Sequence, residues 1–255
     1  MWRSIKFALL FPTGILLGWL IYQFITFPDI GSLNERNPET TALIQTRIKE
    51  ATDRGEQPRK FQTWVPLEKI SPHLYRAVLA GEDTNFATHN GFDYKAIQHA
   101  WDEAQREAEK EAKKEGDADQ SSWRWPSFDF KRGASTISQQ LAKNLYLTTE
   151  KSFIRKGKEA ILTYFLERNL SKRRILEIYL NVIEWGDGIY GAEAASQYYF
   201  RKPASALSLH EAAFLSAIIP NPRKDFNPQL NPRRVARRQR IIMRGMPYVK
   251  LPEGI

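Results

Sequence analysis

The sequence predicts a mainly α-helical domain that follows one N-terminal transmembrane helix. First, residues 7–27 carry no charge, and about 20 apolar residues suffice to span a bilayer core as a helix. Second, apolar residues recur at helical spacing through most of the chain beyond residue 70, and no segment strongly predicts a strand. Third, 255 residues with 42% hydrophobic content are enough to bury one substantial core.

The flanks of the uncharged run predict its orientation. Arg3 and Lys6 precede it and Asp29 follows it, so the positive-inside tendency leaves the short tail in the cytoplasm and the rest of the chain outside. A cleaved signal peptide and a buried core helix are the alternatives. The run is long for a signal sequence and no A-x-A cleavage site follows it, so we expect residues 1–27 to be a cytoplasmic tail and a retained anchor.

The charge of the chain predicts an anionic partner. The formal net charge is +9, which is compatible with nucleic acid, phospholipid headgroups or a phosphorylated substrate. The sequence contains no cysteine, which excludes a disulfide framework, a thiolate metal site and a cysteine nucleophile.

Residues 28–60 read as a juxtamembrane linker with one candidate helix in residues 41–55, and residues 61–255 as the globular domain. The first helix of the domain begins at Ser71-Pro72, a cap followed by proline, and places Glu82 near its end. Further helices are predicted at 94–101, 135–147, 152–168, 171–183, 187–199 and 208–218.

Two segments are strongly charged, and the first of them has no apolar stripe. Residues 102–120 extend a helical pattern with charges and alanine, and we expect a mobile charged insertion over about 102–131. Residues 233–244 form a basic helix, which is either a solvated face or a contact for acidic lipid headgroups.

Polar side chains concentrate in residues 133–160. On one helix, Gln139, Gln140, Lys143 and Asn144 stand three or four residues apart and so share a face. On the next, the same spacing aligns Lys151, Arg155, Lys158 and Glu159. Converging cations of this kind favour an anion site, such as one for a diphosphate. The alternative is that Glu159 only forms an i,i+4 ion pair with Arg155.

Glu82 is the second carboxylate of interest. It closes an apolar helix, where the negative end of the helix dipole disfavours ionisation, so we expect its pKa to be raised. Two carboxylates flanking a sugar linkage are a common requirement of glycosyl transfer. His89 and Asp93 are expected to pack the following loop, and no second histidine stands at metal-ligand spacing from His89.

Four ordered motifs resemble the monofunctional biosynthetic peptidoglycan glycosyltransferases of family 51, which are related to the glycosyltransferase domains of bifunctional penicillin-binding proteins. They are EDTNFATHNGFD at 82–93, GASTISQQLAKN at 133–144, RKGKE at 155–159 and SKRRILEIYLN at 171–181. Ala134 stands where the family usually has a glycine, and Lys151 stands where arginine is common. Lys151 keeps the positive charge of an arginine without its bidentate geometry for phosphate.

The resemblance implies a lysozyme-like glycosyltransferase domain that polymerises lipid II with inversion, forms β-1,4 linkages and releases undecaprenyl diphosphate. Glu82 would be the general base and Glu159 the second catalytic glutamate. Substrate would be bound by Asp83, Phe86, Ser135, Thr136, Gln139, Gln140, Lys143, Asn144, Lys151, Arg155 and Lys158.

The same resemblance implies a location and partners for the protein. It implies an anchor in the bacterial inner membrane and a catalytic domain in the periplasm, with lipid II, the growing glycan chain and membrane lipid as partners. Other cell-wall synthases or divisome proteins are further candidates. No protein metal site is implied and no cofactor is evident, although a divalent cation could assist the diphosphate.

Three other activities compete with this interpretation. A transpeptidase needs a Ser-x-x-Lys pair, and no serine here has lysine three residues later. A lytic hydrolase of similar fold would have no evident use for a stripe of cations beside its glutamate. A basic adaptor for nucleic acid is permitted by the charge, but exposed aromatics that stack bases are missing near the motifs, so we expect no nucleic acid partner.

Overall fold

A computed structural model describes residue 18 and residues 25–115, 135–148 and 152–255. Helices dominate these residues, as the sequence predicts. The α-helices are α1 (Ala42–Asp53), α2 (Pro72–Glu82), α3 (Tyr94–Glu115), α4 (Ile137–Tyr146), α5 (Phe153–Asn169), α6 (Lys172–Val182), α7 (Ala192–Phe200), α8 (Leu209–Ile218) and α9 (Pro232–Gly245). Short 3-10 helices lie at Gly31–Asn34, Leu67–Lys69, Ala204–Ala206 and Met246–Tyr248.

Local capping residues explain most of these helix starts. Ser71 accepts a hydrogen bond from the N–H of His73, with Pro72 at the first helical position. Thr136 and Ser208 form capping boxes with Gln139 and Glu211 at the third helical position. These caps satisfy backbone N–H groups that the helices leave unpaired, which is why the predicted starts lie within two residues of the observed ones.

The prediction of a helix over 187–199 is wrong for its first part. A small sheet of order β1-β3-β2 occupies this region, formed by β1 (Phe61–Gln62), β2 (Glu184–Gly186) and β3 (Ile189–Tyr190). β1 runs parallel to β3, whereas β2 is antiparallel to it. Gly191 has φ +83°, and a Cβ there would lie 2.6 Å from the carbonyl oxygen of Asn181. The helix therefore begins only at Ala192.

The helices pack as two groups around one continuous core. α2, α8 and α9 pack on one another, and α4 packs on α1, α5 and α6. Trp185 is fully buried in this core. Ile30, Leu33 and Ile44 are also buried, so part of the segment predicted as a linker contributes to the core.

Two predicted segments fall largely outside the described residues. Within the described ranges, no helix is long and apolar enough to cross a membrane. The predicted span 7–27 lies outside those ranges except at residues 18 and 25–27. The predicted charged insertion begins as the second half of α3, which continues to Glu115, and its residues 116–131 are not described.

Candidate active site

Glu82 is the last residue of α2, and its carboxylate lies at the meeting point of four helices. Its side chain is only 8% exposed, yet it borders a cleft of about 240 Å³ that Asn85, Ser135 and Thr136 also line. The amide Nε2 of Gln140 on α4 donates to Oε2 over 2.9 Å. The guanidinium of Arg238 on α9 donates to Oε1 over 2.7 Å. Both carboxylate oxygens are therefore held from different helices.

The partners of Glu82 are themselves anchored. The hydroxyl of Tyr179 on α6 donates to Oε1 of Gln140 over 2.8 Å, which leaves the Gln140 amide nitrogen directed at Glu82. Arg238 also donates to the carbonyl oxygen of Gly81 over 2.7 Å, so its guanidinium covers one of the last carbonyls of α2. A cation at this helix end compensates the negative end of the dipole.

Burial raises the pKa of the Glu82 carboxyl, while the positive charge of Arg238, the hydrogen bonds from Gln140 and Arg238, and the charge of Lys143 oppose the increase. The predicted direction is therefore confirmed. The largest cause is removal of the carboxylate from water.

Asp83 connects the motif at 82–93 to the start of α4. One oxygen lies 2.9 Å from Nε2 of His89, and the other accepts the backbone N–H of Ile137, the first residue of α4, over 2.9 Å. Nδ1 of His89 accepts the N–H of Gly91, so the ring presents its Nε2–H to Asp83. The Asp83 side chain is 2% exposed. In this structure Asp83 organises the loop and helix beside Glu82.

His89 and Asp93 pack the loop, as predicted. Asp93 accepts hydrogen bonds from the side chain of Asn85 and from the N–H of Ala96, so it closes the loop onto the start of α3.

The polar residues of α4 have different surroundings. Gln139 turns back to accept the N–H of Thr136, and the Thr136 hydroxyl donates to the carbonyl of Gly91 over 2.7 Å. Asn144 is also buried, and within the described ranges Gln140 and Lys143 are the members of the predicted polar face that interact with charged groups of the site. Phe86 is fully buried, with the ammonium of Lys172 4.4 Å from its ring centroid.

Glu159 is buried on α5 and is 3% exposed. Its Oε2 accepts from Arg155 over 2.9 Å, and its Oε1 accepts from Lys156. The ion pair with Arg155 that the sequence left open is thus present. Lys158 is exposed. The lysine that pairs with Glu159 is Lys156, which stands three residues before it.

Lys143 interacts electrostatically with the carboxylates of both Glu82 and Glu159. Removal of part of the side chain from water lowers the pKa of Lys143, although the residue still reaches solvent. The charges of Glu159 and Glu82 both oppose this, whereas Arg155 and Lys156 add to it. Because Coulomb interactions fall with distance, Lys143 lies within reach of both glutamates. Lys143 therefore lies on the helix that contacts Glu82 through Gln140 and that packs against the helix carrying Glu159.

Three site residues were missed by the sequence patterns. Arg238 belongs to a helix interpreted as a solvated or lipid-facing basic surface, Tyr179 to an apolar run, and Lys156 to the motif RKGKE without being selected. Helical spacing could have indicated Lys156, which stands three residues before Glu159. Nothing local signals Arg238, which is 156 residues from Glu82. Lys151 and Ala134 lie outside the described residues.

A helical domain with two buried glutamates, one of them next to a cluster of cations, is the arrangement of a glycosyl-transferring protein. The chain belongs to the transglycosylase family, which matches residues 48–116 and 121–247. It is 41% identical over 252 residues to the biosynthetic peptidoglycan transglycosylase of Azoarcus sp. (strain BH72), covering 99% of this chain and 98% of that protein.

Two further relatives have the same name and similar coverage. The biosynthetic peptidoglycan transglycosylase of Methylobacillus flagellatus is 41% identical over 95% of this chain and 98% of its own length. That of Chromobacterium violaceum is 42% identical over 94% of this chain and 96% of its own length.

Proposed function

We propose that this protein is a peptidoglycan glycosyltransferase that polymerises lipid II into glycan strands. The observation that carries the proposal is that α4 connects the two buried glutamates. Its Gln140 donates to Glu82 over 2.9 Å, Lys143 follows one turn later, and α4 packs on α5, where Glu159 lies among cations. One carboxylate can remove a proton while the cations stabilise a departing anion. The names of the family and of its relatives support the same reaction.

Glu82 acts as the general base in this proposal. It takes the proton of the acceptor's GlcNAc 4-hydroxyl as that oxygen attacks C1 of the donor's MurNAc, which inverts the configuration and forms the β-1,4 bond. Gln140 and Arg238 occupy one lone pair on each carboxylate oxygen, and each oxygen has a second lone pair for the incoming hydroxyl. A raised pKa strengthens Glu82 as a base, and the charge of Arg238 limits that rise.

The diphosphate leaves towards the cations near Glu159. The bond from C1 to the diphosphate oxygen breaks, and the released undecaprenyl diphosphate gains negative charge that Lys143, Arg155 and Lys156 stabilise. Glu159 holds Arg155 and Lys156 in place through its two oxygens. Lys151 and Lys158 remain candidates for the same anion, as the sequence predicts.

A membrane location fits a lipid-linked substrate. We propose that residues 7–27 anchor the protein in the inner membrane and that the domain works in the periplasm. Exposed apolar side chains on α5 support a lipid contact: Phe153 is 89% exposed, and Ile154, Ile161 and Tyr164 are exposed as well. No Ser-x-x-Lys pair occurs in the sequence, so transglycosylation is proposed without transpeptidation.

Polymerisation of labelled lipid II by the detergent-solubilised protein tests this function. Wild type should form polymer, and Glu82→Gln should lower kcat by about 10²- to 10⁴-fold while lipid II binding is retained, because the amide preserves shape but removes the base.

Glu184→Gln is a matched control, since Glu184 is also a buried glutamate paired with an arginine, Arg47, over 3.0 Å. It should keep its activity. Failure of wild type to polymerise would refute the proposal, and cleavage of finished peptidoglycan without polymerisation would instead support a hydrolase.

A further inference from the structure

The segment that follows the proposed anchor is folded onto the domain. Residues 27–37 form this connecting segment, and the sequence predicts a linker over most of them. The ring of Phe27 packs edge to face on the ring of Phe165 in α5, with 5.0 Å between the ring centroids. Ile30 and Leu33 are 3% and 7% exposed and belong to the hydrophobic core. The connecting segment is therefore part of the folded domain.

The connecting segment is also restricted by its own hydrogen bonds. The N–H of Ser32 donates to the carboxylate of Asp29 over 3.2 Å, and its hydroxyl donates to the carbonyl of Asp29 over 2.8 Å. The N–H of Leu33 donates to the carbonyl of Ile30 over 3.1 Å, and that of Arg36 donates to the carbonyl of Ser32 over 2.9 Å. Backbone amides that are held in this way exchange slowly with solvent as long as the surrounding structure stays closed.

Two helices of the domain hold the connecting segment in place. Arg174 on α6 donates to the carbonyl of Leu33 over 2.7 Å and to the carbonyl of Arg36 over 3.0 Å. The side chain of Arg174 is only 15% exposed, so these bonds to a charged donor lie partly out of water. The amide of Asn34 donates to the carbonyl of Asn169, the last residue of α5, over 2.9 Å. The segment is thus fixed to the ends of both helices.

The connecting segment meets α5 beside the exposed apolar face of that helix. Phe165, which Phe27 contacts, is 38% exposed, and its ring packs edge to face on that of Tyr164 with 5.5 Å between the centroids. Ile25, two residues before Phe27, is 75% exposed. In the proposed membrane location, the chain therefore leaves the anchor next to the surface assigned to lipid contact.

We propose that the connecting segment holds the catalytic domain in one orientation on the bilayer, and that Arg174 is a positioning residue for the reaction on membrane-bound lipid II. This inference rests on the proposed function and on the proposed anchor at residues 7–27. A flexible linker lets a domain rotate relative to the membrane. A segment packed on α5 and α6 instead keeps the cleft of Glu82 at a constant distance from the bilayer in which lipid II diffuses, and this restriction lowers the entropic part of the barrier.

Hydrogen exchange on the detergent-solubilised full chain tests the rigidity of the connecting segment without turnover. The amides of Leu33 and Arg36 should exchange slowly in wild type. Arg174→Met keeps an apolar stem but removes the guanidinium, so exchange at these amides should become about 10-fold faster or more. Exchange within α8, which Arg174 does not contact, should stay unchanged and so report that the variant is folded.

A flexible insertion tests the role of the segment in catalysis. Six residues of a Gly-Ser repeat between Thr26 and Phe27 leave the contacts of the connecting segment intact but add about 13 Å of slack. We expect kcat/KM for lipid II in vesicles of phosphatidylethanolamine and phosphatidylglycerol to fall about 10-fold or more. In detergent micelles the same variant should polymerise lipid II as wild type does, because no common bilayer orients enzyme and substrate there. Arg174→Met should show the same difference between vesicles and micelles.

Two matched changes are controls. The same insertion between Arg3 and Ser4 lies before the proposed anchor and should leave both rates unchanged. Arg173→Met removes the neighbouring arginine of α6, which donates to the carbonyl of Gly254 and pairs with Glu68, and it should leave the exchange of the connecting segment unchanged.

The outcomes separate this inference from the proposed function. Fast exchange of the connecting segment in wild type would refute the inference. It would also be refuted by an insertion variant that keeps its activity in vesicles, or that loses as much activity in micelles. Wild type that polymerises lipid II in neither medium would instead refute the proposed function.

Discussion

At the scale of single residues, Arg238 determines how Glu82 can act. Its charge lowers the pKa of a carboxyl that burial raises, and its hydrogen bond fixes the orientation of the carboxylate. An unpaired buried carboxylate would take up a proton and lose its ability to act as a base.

Replacing Arg238 should therefore change the pH dependence of polymerisation. In Arg238→Gln the pKa of Glu82 rises further, so the acidic limb of the kcat/KM profile should move to higher pH. Loss of a hydrogen bond to a charged group costs about 1.5–3 kcal/mol, or roughly 10- to 150-fold in kcat/KM at neutral pH. Arg238→Lys keeps the charge and should keep the position of the limb. A uniform decrease with an unmoved limb in Arg238→Gln would mean that Arg238 is only structural.

Sequence spacing selected Lys158 as a diphosphate contact, whereas the structure places Lys156 against Glu159. Variants of the two lysines distinguish these assignments. Lys156→Ala removes one of the two charged donors to Glu159, so we expect the free energy of unfolding to fall by about 1–3 kcal/mol and kcat/KM to fall with it. Lys158→Ala should change stability by less than about 0.5 kcal/mol, because Lys158 is exposed. Urea unfolding and lipid II kinetics of the two variants measure this. A larger kinetic loss in Lys158→Ala would favour Lys158 as the main diphosphate contact.

At the scale of elements, Gly91 in the loop before α3 contacts both the start of α4 and the side of α5. Gly91 has φ +92°, and its carbonyl accepts from Thr136 at the start of α4. A Cβ at Gly91 would lie 2.8 Å from Cγ2 of Thr163 and 3.1 Å from Cγ of Glu167, both on α5. The absence of a side chain allows the loop to approach α5 closely.

Gly91→Ala should consequently destabilise the protein by about 1–3 kcal/mol, since both the backbone conformation and the space disfavour a side chain. Gly157→Ala is the matched control, because Gly157 lies within α5 and its Cβ would have no neighbour within 4 Å in the described structure. It should stabilise the helix by roughly 0.5–1 kcal/mol. Urea denaturation measures both, and equal effects would contradict the packing argument.

The sequence predicted most elements because their signals are local. Ser71 with Pro72, Thr136 with Gln139, and Ser208 with Glu211 all lie within three residues of each other and mark helix starts directly. The strands at 184–190 escaped detection because each is two or three residues long, and because β3 is stabilised by pairing with residues 61–62, far away in the sequence. Such pairing leaves no periodic pattern within the segment itself.

At the scale of the whole molecule, α5 carries both Glu159 and an exposed apolar face. The face comprises Phe153, Ile154, Ile161 and Tyr164, so contact with lipid there would bring the anion site close to lipid-linked substrate. This arrangement relates membrane contact to the proposed reaction.

The double variant Ile154→Ser/Ile161→Ser should reduce co-sedimentation with anionic phospholipid vesicles several-fold. The comparison uses protein lacking residues 1–27, so that the predicted anchor does not contribute. Less apolar surface is then transferred from water to lipid. Leu230→Ser is the control, because Leu230 is 67% exposed but precedes α9 and is not part of α5. Equal binding by the double variant and wild type would exclude α5 as a lipid contact.

The sequence by itself determined the helical class, most helix starts and the direction in which the pKa of Glu82 is shifted. The helical class and the helix starts follow from periodicity and caps along the chain. Only the tertiary structure decided that burial is the main cause of that shift, that Arg238 and Tyr179 belong to the site, and that Lys156 pairs with Glu159. The physical reason is that a buried carboxylate takes its partners from whichever helices pack against it, and side-chain pairing across 156 residues has no local signal.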